Sequence, residues 1–158
     1  GAIEQLMRDT AWNDVDVMVI DMPPGTGDIQ ITLSQKLNFD GVVIVSTPQD
    51  IALIDAIKGV NMFKRVNVPI LGIVENMSYY LCEKCGQRAD IFGHEGARQT
   101  AETLGEKFLG EIHLLINIRE NADNGTPIVF AEPDSPHTQA YEDIAIQIAQ
   151  ELGFSQGK

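Results

Sequence analysis

The chain has 158 residues, 44% of them hydrophobic and 22% charged, the balance of a soluble globular protein with one substantial core. Its net charge of −12, from 23 acidic and 11 basic side chains, disfavours nucleic acid and anionic membrane as partners. No run approaches the ~20 apolar residues of a membrane span, no signal peptide is visible, and two cysteines are too few for a secreted disulfide framework.

The first residue is Gly1, and a helical pattern over 1–10 (Ile3, Leu6, Met7) begins almost at once, so the chain reads as a piece of something longer. Val15-Asp16-Val17-Met18-Val19-Ile20 is apolar enough for a buried parallel strand. The octet Asp21-Met22-Pro23-Pro24-Gly25-Thr26-Gly27-Asp28 follows, and then Ile29, Leu33 and Leu37 at a four-residue spacing that fits one helix face. The octet is therefore a strand-to-helix loop at the carboxyl edge of a sheet, where open α/β folds bind ligands. Asp21 is placed to reach a nucleotide-bound Mg²⁺, usually through water. Gly25 and Gly27 let backbone N–H groups approach a phosphate. The plainer alternative is a strand end followed by a helix capped by Asp28.

Val42-Val43-Ile44-Val45 is a second buried strand. Thr47-Pro48-Gln49-Asp50 starts a helix, with Thr47 as cap, Pro48 in the first helical position and Asp50 in a capping box. Ile51, Ile54, Ile57 and Val60 face one way along it, and Ile70 to Val74 forms a third strand. Strand–helix–strand alternation predicts right-handed crossovers and a parallel sheet. Residues 77–93 break the rhythm and hold both cysteines. A short helix over 94–104 stops at Gly105, Phe108 to Ile112 is a short fourth strand, and 113–134 is irregular. In the last helix Ser135 caps, Pro136 opens, and Tyr141, Ile144, Ala145, Ile148 and Leu152 form one stripe before Gly153. With no repeat and no linker, residues 1–158 are read as a single α/β domain carrying a C-x-x-C insertion at about 77–93.

Tyr79-Tyr80-Leu81-Cys82-Glu83-Lys84-Cys85-Gly86 offers two thiols in a polar loop. The residues alone leave three readings open: a metal knuckle, a redox dithiol, or two spare thiols. A thioredoxin-type dithiol opens a helix, which this pair does not. A Cys₄ site for zinc or a [4Fe–4S] cluster needs four thiolates, and a second copy across a two-fold axis is the simplest source of the other two. His94 is a weaker third ligand; His113 and His137 have no ligand-like spacing. Asn76 ends the third strand with an amide suited to a purine edge.

Two motifs occur in order: the octet from Asp21, and Gly72-Ile73-Val74-Glu75-Asn76-Met77-Ser78 followed by Cys82 and Cys85. Together they resemble the Mrp/Nbp35 (ApbC, Ind1) family, P-loop NTPases of the MinD/ParA group that carry iron–sulfur clusters. The resemblance covers nearly the whole chain. It implies a doubly wound, mostly parallel α/β sheet lacking its N-terminal strand and phosphate loop, since no G-x-x-x-x-G-K-[ST] or lysine-bearing variant is present. It implies ATP and Mg²⁺ as ligands, with Asp21 at the metal, Gly25 facing the γ-phosphate, Asn76 at adenine and Arg119 beside the base and ribose. It implies a labile [4Fe–4S] cluster bridging a homodimer through Cys82 and Cys85, handed to apo iron–sulfur proteins in the cytoplasm or the mitochondrial matrix. Where the family has Pro-Leu after the short strand, this chain has His113-Leu114. Two alternatives remain: a zinc-bridged Cys₄ dimer without enzymatic activity, and a MinD/ParA-like positioning ATPase.

Overall fold

The structure is a computed structural model, and it describes residues 5, 7, 9–23, 25, 27–82 and 84–154, apart from the side chain of Asp28. Its elements in chain order are α1 (Asp28–Lys36), β1 (Val42–Ser46), α2 (Asp50–Arg65), β2 (Ile70–Glu75), β3 (Tyr80–Leu81), β4 (Arg88–Ala89), α3 (Gly96–Leu104), β5 (Phe108–Glu111), α4 (Ile116–Asp123), α5 (Ile128–Ala131) and α6 (Pro136–Glu151). Strands β1, β2 and β5 form a parallel sheet in the order β1-β2-β5. Strands β3 and β4 form a separate antiparallel hairpin, Tyr80 opposite Ala89 and Leu81 opposite Arg88.

The central strand is the most buried. Every residue of β2 from Leu71 to Glu75 is shielded from solvent, as expected for a parallel strand covered on both faces. On one face Ile44 and Ile73 pack with Leu53, Ala56, Val60 and Phe63 of α2 and with Ala97 and Ala101 of α3. On the other, Val74, Leu109 and Ile112 meet Ile144 of α6. Helices thus cover both sides of the parallel sheet, as the fold class predicts.

Five sequence expectations change. Val15–Ile20 is not a strand; Val15, Val17 and Val19 are 48%, 51% and 90% exposed. No described strand lies beside it, and without a ladder its backbone cannot be satisfied as sheet. The apolar face of α2 is Leu53, Ala56, Val60 and Phe63, while Ile51 and Ile54 are exposed. A strict every-third spacing drifts by about 60° per step around a 3.6-residue helix, so Ile51 and Val60 end on opposite sides. The same helix starts at Asp50 with Gln49 at the cap, because the Thr47 hydroxyl donates to Gln49 Oε1 (2.9 Å) and not to the helix. Helix α1 has Gly27 at its cap position, and its shielded face is Gln30, Leu33 and Ser34, with Ile29 exposed. Residues 113–134, expected to be irregular, contain α4 and α5; α4 buries no residue, so it has no apolar period to read. The helix expected over 1–10 lies largely outside the described residues.

The last helix matches its signals: Ser135 Oγ accepts from Thr138 N–H (3.2 Å) and Pro136 opens it, although Ala145 is exposed and Thr138 is buried instead. Gly105 ends α3 in the left-handed region, φ 70°.

Helix α3 also sets where the cysteine hairpin returns to the sheet. A Cβ on Gly96 would lie 2.5 Å from Pro48 O and 2.8 Å from Leu53 Cδ1, so α3 begins in backbone contact with the loop after β1. Gly96→Ala is expected to destabilise the fold by about 1–3 kcal/mol, read from the urea midpoint. Ile73→Ala, which empties a site at the sheet centre, is expected to cost about 2–5 kcal/mol.

Candidate functional site

The carboxyl ends of the parallel strands gather the chemistry. Asn76 follows β2 directly and its N–H donates to Ser46 O (2.7 Å), joining the ends of β1 and β2. Met77 then takes φ 54°, a left-handed turn that costs a bulky residue energy. Asn76 Oδ1 accepts the Met77 N–H (3.0 Å) and holds that turn, so the amide NH₂ is the side chain's remaining donor. Ser78 N–H donates to Ile112 O (2.9 Å) and Leu114 N–H donates to Tyr79 O (2.8 Å). These bonds lace the root of the hairpin to the chain leaving β5.

Beyond that root the hairpin carries the thiols. Cys82 N–H donates to Gln87 O (3.0 Å) and Gly86 N–H donates to Cys82 O (2.7 Å). Gly86 sits at φ 69°, so the glycine after the pair closes a turn onto a carbonyl and its N–H is not turned toward sulfur. Cys82 is half-buried, Cys85 is exposed, and neither is in a disulfide. No group of three or more His, Cys, Asp or Glu side chains among the described residues could hold a metal ion. His94 lies instead beside Asp90 (3.5 Å) and Glu95 (3.7 Å).

A second cluster, invisible to spacing arguments, supports the hairpin. Arg88 of β4 stacks its guanidinium 3.9 Å from the centre of the Tyr79 ring, a cation–π contact. Tyr79 OH is hydrogen-bonded to His113 Nε2, with ring centroids 4.2 Å apart. His113 packs edge-on to His137 at 5.5 Å, and the Nδ1 atoms of both histidines are buried without a hydrogen-bond partner. Burial, then the Glu111 carboxylate, raises the Tyr79 phenol above its usual range, so it keeps its proton. Arg88 also bonds Asp90 (2.8 Å), and that bond holds Asp90 below the usual carboxylate range. The departure at His113-Leu114 is thus the position that backs the hairpin.

The residues that the sequence expects beside a nucleotide are more dispersed. Asp21 is exposed in the irregular segment before α1, where Gln30 Nε2 donates to Pro23 O (2.8 Å) and Met22 packs against the core. Gly25 lies in that loop at φ 96° with open space around it. Arg119, on exposed α4, pairs with Asp123 (2.9 Å) and Glu120 (3.1 Å) of its own helix. Sequence reasoning missed Glu75, Ser78 and Glu111. Ser78 Oγ lies 2.6 Å from Glu75 Oε1 and 2.8 Å from Glu111 Oε2. The available signal was that two apolar strands each end in a glutamate.

Burial, then the neighbouring His137, lowers the His113 pKa below its ordinary 6.5. A depressed histidine costs nothing above the unfolded value. Below it the unfolded chain takes up the proton first, so stability falls with pH until the folded value is passed. Urea midpoints are therefore expected to drop from about pH 7.5 to about pH 5.5. His113→Gln, which keeps a partner for Tyr79, is expected to flatten that slope.

Comparison with known proteins gives the family and the fold. An iron–sulfur cluster transfer protein NUBPL of Dictyostelium discoideum is 52% identical over 152 residues, 96% of this chain and 47% of that protein. An iron–sulfur cluster carrier protein of Pseudomonas fragi is 52% identical over 146 residues, 92% of this chain and 51% of that one. The chain thus spans about half the length of these relatives. A solved nucleotide-binding protein of Archaeoglobus fulgidus in complex with ADP superposes with a TM-score of 0.72 at 33% identity, covering 87% of this chain and 57% of that one. The family described as "ParA: NUBPL iron-transfer P-loop NTPase" matches over residues 1–149, and the chain belongs to it.

Proposed function

We propose that this chain is the cargo-holding part of an ATP-dependent iron–sulfur cluster carrier. A [4Fe–4S] cluster sits between two copies, held by Cys82 and Cys85 of each. The observation that carries this reading is the hairpin itself. It presents two thiols and, among the described residues, has no third protein ligand gathered beside them. Two thiolates are half of a Cys₄ set, and a two-fold axis supplies the rest. Cys85 is the more accessible of the pair. An incoming thiolate from an apo iron–sulfur protein takes an iron as Cys85 Sγ leaves, with no change of oxidation state.

The same reading gives the carboxyl edge of the sheet to ATP and Mg²⁺. Asp21 orients water on Mg²⁺, the Gly25 N–H faces the γ-phosphate, and the Asn76 NH₂ group meets the adenine edge. Arg119 reaches the base and ribose only by leaving Asp123 and Glu120. The sequence holds no lysine-bearing phosphate loop, so the grip on the phosphates, and hydrolysis, are not assigned to these residues. Two thiols without a disulfide suit a reducing compartment, the cytoplasm in a bacterium or the mitochondrial matrix in a eukaryote. No helix among the described residues is long and apolar enough to cross a membrane.

Anaerobic loading with ferrous iron and sulfide is expected to give a brown dimer with about two irons and two sulfides per chain. Cys82→Ser is expected to lose the colour while its far-ultraviolet circular dichroism stays unchanged. A colourless, zinc-only dimer, or a monomer that takes up no metal, overturns the reading.

A further inference from the structure

We propose that Glu75, acting through the Ser78 hydroxyl, is the positioning residue of the cysteine hairpin, and that it ties the hairpin to the loop after β1. The proposal rests on the cluster-carrier reading for its purpose, but not for its geometry.

Glu75 is completely shielded at the end of the central strand. A carboxylate in such a place must be paired or fully hydrogen-bonded. Its Oε2 accepts the backbone N–H of Ala97 (2.7 Å), in the first turn of α3, where unpaired N–H groups and the helix dipole favour negative charge. Its Oε1 accepts from Ser78 Oγ (2.6 Å). Strand register sets Glu75 opposite Glu111, a pairing of like charges that destabilises a sheet unless something stands between them. Ser78 Oγ stands there, 2.8 Å from Glu111 Oε2.

A hydroxyl carries one hydrogen, so Ser78 donates to Glu75 or to Glu111 at any instant. This makes two discrete arrangements at the residue that starts the hairpin, four positions before Cys82. In one, the hairpin root is tied through Glu75 to α3; in the other it is tied to β5. The α3 end of the tie is not slack. Gly96 and Gly93 press against Pro48 O, at 2.5 and 3.3 Å from the Cβ each would carry. A shift of the Pro48 loop therefore moves the first turn of α3, carries the Ala97 N–H with it, and pulls on the carboxylate that holds Ser78. The edge that faces nucleotide and the thiols that hold the cargo in the proposed function are joined by this path of close contacts and hydrogen bonds. Groups bonded directly to metal ligands typically matter about 10–100-fold to affinity; Ser78 acts four residues before Cys82, so the effect expected here is at the lower end of that range.

The test uses the whole chain. Hydrogen exchange at the amides of Tyr79 to Cys82 is followed in the apo protein, and loss of iron to a chelator in the loaded one. Ser78→Ala is expected to speed hairpin exchange and to raise the rate of iron loss about tenfold, with the visible spectrum unchanged. Ser78→Thr is expected to restore both. Glu111→Gln commits the Ser78 hydrogen to Glu75 and is expected to slow both, so it decides the question if Ser78→Ala fails to fold. Gln147→Ala removes a bond of similar length to Leu109 O (2.7 Å) and is expected to lower Tm without altering either rate. Hairpin exchange at the parent rate in both Ser78→Ala and Glu111→Gln overturns the proposal. If the parent takes up no cluster, the cluster-carrier reading fails, and the exchange comparison still decides this one.

Discussion

A carboxylate without access to water cannot be left to itself, and Glu75 imposes that requirement at the point where three parts of the molecule meet. It ends the central strand, faces the first turn of α3, and lies in register with Glu111. Each of its oxygens needs a donor, and the two donors come from different segments. Ala97 is 22 residues away and brings α3 to the sheet. Ser78 is 3 residues away and fixes the direction in which the chain leaves it. A hydrophobic residue at position 75 would pack in the same place but would specify neither. The carboxylate gives directional contacts where burial alone gives only proximity.

This helps explain why a two-stranded hairpin can hold a defined position. Strands β3 and β4 are two residues each, too short for a hairpin to be stable in isolation. The ladder is extended by bonds that are not its own: Ser78 to Ile112, Leu114 to Tyr79, and the stack of Arg88, Tyr79 and His113. The thiols sit at the far end of a structure anchored at its base and left open at its tip. An anchored base and an accessible tip are what a ligand set must have if it is to hold cargo and then give it up.

The sequence made the sheet legible because β1, β2 and β5 are short apolar runs bounded by turn residues, and their strand–helix alternation leaves little choice of topology. Val15–Ile20 has the same composition and is not a strand among the described residues. Strand formation depends on neighbours as well as on the segment itself, and composition reports only the segment. Helix α4 escaped for the opposite reason: it buries no residue fully, meets the core through the half-buried Ile118, and is held by pairs such as Arg119–Asp123. The cysteine pair could be found by spacing, because two thiols separated by two residues stand out in the sequence itself. Glu75 and Ser78 are visible as part of a motif, but the bonds of Glu75 to Ala97 and to Ser78, and of Ser78 to Glu111, depend on the register of a parallel pair and the landing point of a helix.

Charge places a further demand on the proposed assembly. Each copy carries −12, and two copies joined at the hairpins bring those fields together around a centre that adds four thiolates. Lys84, between the cysteines, and Arg88, just after them, are the basic residues of this stretch. Arg88 is already engaged by Tyr79 and Asp90, which leaves Lys84 as the charge nearest the sulfurs in sequence that can turn toward them. At physiological salt the Debye length is about 8 Å, so repulsion between the outer surfaces is largely screened while that between adjacent thiolates is not. In the proposed dimer iron would then be the main attraction at the centre, and the pair would last as long as the cluster does. A pair held in that way would separate when its cargo leaves, which a permanently zinc-tied dimer would not do.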